Sequence, residues 1–302
     1  MNNSMNTTSE GSHQLAPHQV SSGLLVLFLL IGLQLVEAGS VRMKNTSAVF
    51  MRGIACLTIS LLTSWVCGYS FTFSPGNFLL GYSSNWFGLH SVPDDASSHW
   101  VLHASISSLP SAIIAASMSE RSHLTGHLVL ATFLGVIVYP LPAHWVWNEE
   151  GWLYSSGCRD NGGVLVVHLV SGVAALVGSL LVGPRVEKLG SNFKDVSLPG
   201  HSLPLAAMGG MLVVIGMVAK VVGMSGKPEE IGQLAVNSLI GGAGGGVLTM
   251  NLFKLTINRV KGYNTADARN INHLSVATRR WSYLTAYNGF LTGLYITSNS
   301  SV

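Results

Sequence analysis

Charged side chains are scarce in this sequence. Of its 302 residues, 10% are Asp, Glu, Lys or Arg, whereas a typical soluble domain has about 25%. The mean hydropathy is +0.43. Because so few charges cannot cover a soluble surface, the composition excludes a disordered chain, a coiled coil and almost any cytosolic enzyme.

Cysteine is rare as well, and the excess of basic residues is small. The three cysteines, Cys56, Cys67 and Cys158, are odd in number and do not cluster, which indicates neither a disulfide framework nor a zinc site. The formal net charge of +3 is too small to indicate nucleic acid as a partner.

Long apolar runs are what the sequence has in abundance. A helix that crosses the hydrocarbon core of a bilayer needs about 20 mostly apolar residues. Runs that approach or reach this length lie at residues 22–39, 47–71, 98–118, 124–147, 162–183, 202–224, 231–255 and 282–298. The sequence therefore predicts an all-α polytopic membrane protein with about eight spans and a short tail at 299–302.

Lys and Arg are distributed unevenly between the loops that these spans define. With the N-terminus placed outside, the inside loops hold thirteen of the sixteen basic residues, the outside loops hold Arg159 and Lys227, and Lys220 lies within the sixth span. Cytoplasmic loops carry such an excess of Lys and Arg. We therefore expect residues 1–21 to form an extracellular segment of a protein of the plasma membrane.

Six motifs occur in a fixed order along the chain. The most specific runs from Asp160-Asn-Gly-Gly163 to His168 and continues to Gly183-Pro184-Arg185. The full set lies at residues 34–45, 119–121, 139–147, 160–185, 235–238 and 288–294.

Together, these motifs resemble those of the ammonium transporter/methylammonium permease/Rhesus (Amt/Mep/Rh) family, and of its Amt branch in particular. The resemblance covers residues 22–298. It implies a bundle of eleven spans in two inverted halves, assembled as a trimer with one pore per subunit. Here the first half would be 22–185 and an incomplete second half 200–298, so a chain shortened at its C-terminus, or a partner chain that completes the pore, is expected.

The resemblance also implies a function and its residues. Family members pass ammonium or ammonia through a narrow lumen in the bilayer, without a cofactor and without chemistry on the substrate. Trp147 matches the tryptophan of the outer recruitment site, Asp160 the carboxylate that supports that site, and His168 the first of two histidines that line the lumen.

Each of these residues also has a plainer physical reading. An indole face attracts a cation by about 0.5–2 kcal/mol, but Trp147 could equally belong to an interfacial aromatic belt. Asp160 at a helix N-terminus is a typical cap. His168 follows it by eight residues, or about 12 Å of helix, and an ionisable residue at that depth indicates function, although a histidine bonded to a neighbouring helix is the alternative.

Three positions depart from the family pattern. Ile106 stands where the first gating phenylalanine is expected, Lys220 where the second is expected, and Met224 in place of the recruitment serine. Lys220 would either face the pore and repel ammonium or extend to the membrane surface. These departures leave open a degenerate transporter, or a non-transporting member that acts as a sensor or as a subunit of a mixed oligomer.

A membrane metalloenzyme is the alternative from another class. His99 and His103 stand four apart, as do His123 and His127, which places each pair on one helix face. By topology the two pairs lie on opposite sides of the membrane, about 30 Å apart, and cannot share a metal. The glycine-rich run 241–246 lacks the flanking residues of a phosphate loop, and we expect it to allow close helix contact.

Overall fold

The computed structural model of the protein describes residues 2–90, 92–93, 96–185, 200–263 and 283–298. The regular elements of these residues are helices, with one antiparallel bridge between Gly76 and Gly81. The chain divides into two compact units, Met1–Pro228 and Glu229–Val302.

The helices of the first unit are α1 (Asn2–Ser40), α2 (Thr46–Thr63), α3 (Tyr69–Phe73), α4 (Ala96–Ser107), α5 (Leu109–Ser117), α6 (Leu124–Phe133), α7 (Pro140–Trp147), α8 (Trp152–Ser155), α9 (Val170–Val182) and α10 (Leu203–Gly223). Those of the second unit are α11 (Ile231–Tyr263) and α12 (Tyr283–Thr297). Short 3₁₀ turns lie at Met43–Asn45, Ser84–Leu89 and Pro228–Glu230.

Within the described residues, seven helical stretches are long and apolar enough to cross a membrane. They are Ala16–Ser40, Met43–Phe73, Ala96–Ser117, Leu124–Ser155, Val164–Val182, Leu203–Gly223 and Pro228–Leu252. Each coincides with one of the first seven predicted runs, which confirms the all-α polytopic fold. The eighth run begins outside the described residues and continues as α12, which has 15 residues.

Three π-helical turns interrupt these seven described spans. They lie at Ser64–Gly68, Leu134–Val138 and Val164–Leu169. The first two approach each other closely, because a Cβ on Gly68 would lie 2.9 Å from the carbonyl oxygen of Gly135. Such turns insert one extra residue into a helix and often mark functional sites.

The first and sixth spans are packed backbone to backbone in the first unit. A Cβ on Gly32 would lie 2.6 Å from the carbonyl oxygen of Gly209, and a Cβ on Gly209 would lie 2.6 Å from that of Gly32. Any larger residue at either position would force the helices apart. Small residues at crossing points are how helices approach closely in a membrane.

The second unit is an antiparallel helix pair with the same kind of contact. A Cβ on Gly245 of α11 would collide with the carbonyl oxygen of Gly289 in α12, and one on Gly293 with that of Gly241. The expectation that the glycine-rich run allows close helix contact is therefore confirmed.

The predicted halves, 22–185 and 200–298, stay a prediction. The two compact units are defined by packing, whereas the halves were predicted as the two copies of an inverted repeat, so the units do not test the halves. The predicted tail 299–302 and the basic residues within 186–199 and 264–282 lie outside the described residues.

Candidate functional site

Asp160 caps the start of the fifth span, as its position predicts. Its Oδ1 accepts the backbone N–H of Val164 at 2.7 Å, and its Oδ2 accepts those of Leu165 at 3.0 Å and Val166 at 3.1 Å. These are three of the N–H groups that a helix N-terminus leaves without a partner. The carboxylate is buried, so its charge is held in place by three donors rather than by water.

Trp147 lies directly beside this cap. Its Nε1 donates to the backbone carbonyl oxygen of Asp160 at 3.0 Å. The indole ring is flanked by His103, with ring centroids 5.4 Å apart, and by Tyr139, at 6.2 Å. The hydrogen bond fixes the indole orientation, and the two residues predicted for substrate recruitment are therefore neighbours.

His168 and Lys220 are in direct contact. Lys220 Nζ lies 2.8 Å from His168 Nε2, and the whole lysine side chain is buried. A charged Lys220 has only donors to offer, and its Nζ would donate to a neutral imidazole that carries its proton on Nδ1. The sequence left two directions open for Lys220, and here its side chain is buried against His168; that it faces a pore stays a prediction.

Gly163 leaves the space in which these residues meet. It has a positive φ of 65°, a conformation that favours glycine. A Cβ there would lie 3.4 Å from Lys220 Nζ and 3.4 Å from Met224 Sδ. The Asp160 carboxylate also interacts electrostatically with Lys220. Both sixth-span departures from the family pattern therefore meet the Asp160–His168 motif at one place.

Ile106 is fully buried in α4. Its predicted place in the lumen stays a prediction, as do the predicted roles of Trp147, Asp160 and His168.

A polar cluster that the sequence did not predict surrounds Glu120. Its Oε1 accepts the backbone N–H and Nε of Arg42 at 3.2 and 3.4 Å and a bond from Asn45 Nδ2, while Arg185 forms an ion pair with Oε2 at 3.1 Å. Glu120 has a positive φ of 63°, which is uncommon outside glycine. The cluster joins three of the motifs, and the signal in the sequence was an acid, Glu120, directly before Arg121 at the inner end of the predicted third span.

The charge of Glu120 is stabilised by this cluster. Burial alone raises the pKa of the carboxyl, but the hydrogen bonds from Asn45 and Arg42 and the charge of Arg185 outweigh burial, and the pKa is lowered from its ordinary value. A second ion pair, Arg52 with Glu37, lies nearby in sequence.

The histidine pairs of the metalloenzyme hypothesis have other neighbours. His99 Nδ1 is 2.9 Å from the hydroxyl of Tyr69, and the His103 ring lies against Phe73, with centroids 4.5 Å apart. His127 Nε2 is 2.7 Å from the hydroxyl of Ser122. Within the described part of the chain, no three His, Cys, Asp or Glu side chains come together as metal ligands would.

Comparison with known proteins shows the family. The model of the Ammonium Transporter Family matches residues 19–269. Ammonium transporter 1 member 3 of Solanum lycopersicum is 29% identical over 256 residues, covering 76% of this chain and 54% of that protein. Ammonium transporter 3 of Dictyostelium discoideum is 27% identical over 282 residues, covering 89% of this chain and 64% of that protein.

Solved structures share the fold. One described as a sensor Amt protein superimposes with a TM-score of 0.81 at 23% identity, over 97% of this chain and 70% of that one. Saccharomyces cerevisiae Mep2 gives a TM-score of 0.73 at 23% identity, over 94% of this chain and 60% of that one.

This chain spans between about half and two thirds of the length of those two curated relatives. The family match nevertheless covers the second to seventh spans completely and the first span from residue 19 onward, and it includes the cap at Asp160, the histidine at 168 and the Glu120 cluster. This multi-pass membrane protein belongs to the ammonium transporter family.

Proposed function

We propose that this chain conducts ammonium or ammonia across the membrane along a path that passes Trp147, Asp160, His168 and Lys220. The protein would bind and release its substrate without chemistry on it, and so would be no enzyme. The names of the curated relatives support the substrate, and the arrangement of the four residues supports the path.

The contact between Lys220 and His168 carries this proposal. A lysine head group is an alkylammonium, and here it is bound to a buried imidazole nitrogen at 2.8 Å. That geometry is what an ammonium ion, or ammonia donating one N–H, would need at the same acceptor. The contact therefore supports His168 Nε2 as a binding position for a substrate nitrogen.

Trp147 and Asp160 would act before His168. The exposed part of the indole face offers a cation about 0.5–2 kcal/mol, and the buried carboxylate adds negative potential beside it. Trp147 Nε1 is already bonded to the backbone of Asp160, so the ring would present its face to the ion rather than its N–H.

Lys220 sets the condition for passage. Two like charges 4 Å apart repel by about 4 kcal/mol at an effective dielectric constant of 20, which exceeds the attraction offered by Trp147. A charged ion cannot share His168 with a charged Lys220. Passage therefore requires that Nζ leave His168, or that the arriving nitrogen or Nζ be neutral.

If none of these conditions is met, the chain would be a sensor or a subunit of a mixed oligomer instead. The test is uptake of methylammonium by cells that lack their own ammonium transporters, with this chain expressed alone and its surface level measured. We expect saturable uptake that ammonium inhibits. No uptake at a good surface level would overturn conduction by this chain and indicate the non-transporting alternative.

Two variants connect that uptake to the proposed path. Trp147→Leu should raise the concentration needed for half-maximal uptake, and His168→Ala should change the rate or the preference for ammonium over methylammonium. Trp152→Leu and His123→Ala, which alter exposed residues, are the matched controls. If both Trp147→Leu and His168→Ala took up methylammonium as the wild type does, the proposed path past these two residues would be wrong.

We also propose a trimer, of like or mixed subunits, in the plasma membrane with the N-terminus outside. The family resemblance supports the trimer, and the excess of basic residues in the predicted inside loops supports the orientation. An epitope at the N-terminus should be accessible to antibody in intact cells; staining only after permeabilisation would reverse the orientation.

A further inference from the structure

A small cavity lies behind the Trp147 site, between the second, third and fourth spans. Its volume is about 10 Å³, roughly what one water-sized molecule requires. Gly68 and Gly135 of the two facing π turns contribute to its wall. The side chains that matter for its chemistry are Tyr69, Thr72, Phe73, His103, Ser107 and Tyr139.

Two polar atoms of this wall are buried without a hydrogen-bond partner. They are Nδ1 of His103 and the hydroxyl of Tyr139, on residues that are 7% and 5% exposed. A buried polar atom left unpaired destabilises a protein, and nearly all such atoms have partners in folded structures. Two of them on one cavity of molecular size indicate a bound polar ligand.

Two further hydroxyl groups of the wall favour a ligand that donates hydrogen bonds. The hydroxyl of Ser107 donates to the carbonyl oxygen of Ala104 at 2.8 Å, and that of Thr72 to Gly68 at 2.9 Å. Their protons are therefore used inside the protein, and only lone pairs remain for a ligand. A water molecule has two O–H donors to offer, whereas an ammonium ion has four N–H donors.

The aromatic residues of the wall favour a cation. Tyr69 and Phe73 lie side by side, with ring centroids 5.1 Å apart, and ring faces attract ammonium groups. The Asp160 carboxylate interacts electrostatically with Tyr139 and adds negative potential at that end.

From these observations we propose that the cavity binds one ammonium ion, at a site separate from the path through His168. The lone pairs of Tyr139, Ser107 and Thr72 and the Nδ1 of His103 would accept its four N–H groups. The choice of ammonium over other small donors rests in part on the proposed function, whereas the unpaired atoms and the acceptors do not. Since the cavity admits a single small molecule, methylammonium should not fit.

Thermal unfolding of the purified full chain in lipid nanodiscs tests this site. Ammonium chloride and methylammonium chloride are titrated at constant ionic strength against sodium chloride, and Tm is measured, because a ligand that binds the folded state raises Tm. We expect ammonium to raise Tm more than methylammonium does. Tyr139→Phe should weaken the apparent Kd for ammonium by about 5-fold, the effect of one lost hydrogen bond.

Two further variants keep the test decisive. Tyr154→Phe makes the same change outside the cavity and should bind ammonium as the wild type does. Ser107→Ala removes one acceptor with little change in volume and should also weaken ammonium binding. It therefore tests the site even if Tyr139→Phe folds poorly.

Two results would overturn the site. Equal effects of both ions, with wild-type binding by Tyr139→Phe and Ser107→Ala, would place all binding on the path through His168. No effect of ammonium beyond that of sodium would mean that the cavity holds water. Conversely, an ammonium-specific rise in Tm without methylammonium uptake would support this site while the proposed conduction fails.

Discussion

Lys220 stands where the family resemblance leads us to expect the second gating phenylalanine, so an amino group on a flexible stem takes the place of an aromatic ring. The sequence left its direction open, because a lysine stem can extend toward either a lumen or the membrane surface. Its acceptor, His168, is 52 residues away along the chain, so no local pattern could name it. The motif around Asp160 and His168 was recognisable in the sequence, but the contact of His168 with Lys220 could be identified only from the fold.

The stability of the Lys220–His168 contact can be measured by a double-mutant cycle. His168→Ala leaves a buried ammonium without its acceptor and should cost about 1–3 kcal/mol of folding free energy. Lys220→Met should cost less, and the double variant should recover part of the loss from His168→Ala. Thermal or denaturant unfolding of the three variants measures the coupling; strictly additive losses would mean that the contact does not contribute.

Restoring the aromatic gate is a second test at this scale. The double variant with Ile106→Phe and Lys220→Phe removes the charge and adds two ring faces for a cation, and should raise methylammonium uptake at least about twofold. Uptake that does not change would place both positions off the path.

Among the elements, the start of the fifth span is where local rules and tertiary packing meet. A cap at Asp160 was predictable, because an acid before a helix satisfies its first N–H groups. The π turn at Val164–Leu169 was not, since the apolar pattern does not encode one inserted residue. Together, cap and turn place His168 next to Lys220.

Substitutions at Asp160 should follow the number of acceptors that remain. Asp160→Asn keeps one acceptor oxygen and should lose less stability than Asp160→Ala, which keeps none and should cost about 0.5–2 kcal/mol. The order of Tm values, wild type above Asn above Ala, checks this. Equal Tm values for all three would contradict the capping role.

The loop at Glu120 joins the first, third and fifth spans through charge. Because its pKa is lowered, ionised Glu120 stabilises the fold at neutral pH, and that contribution is lost as the pH falls from the ordinary carboxyl range through the lower folded pKa. Glu120→Gln should therefore have a lower Tm than the wild type at pH 7. The gap should shrink below about pH 4.5; a gap that is constant with pH would show that the charge is not the cause.

For the whole molecule, the spans were predictable and the contacts between them were not. Apolar length is a local property, and seven of the predicted runs coincide with the seven spans. The Glu120 cluster and the cavity beside Tyr139 depend on how those spans pack, which residue order alone does not state. The same holds for the close approach of Gly32 and Gly209.

At the scale of the whole protein, the proposed conduction follows a path on which Lys220 opposes the substrate by its charge. The most direct test compares methylammonium uptake by the wild type, Lys220→Met and Lys220→Arg at equal surface levels, with Lys227→Met as the control on an exposed lysine. We expect uptake by Lys220→Met to be at least about tenfold higher than by the wild type, since relief of about 1.4 kcal/mol of the repulsion gives a tenfold change in rate. We expect no gain for Lys220→Arg or Lys227→Met. Uptake that is the same for all four proteins, or absent from all, would contradict the proposed path.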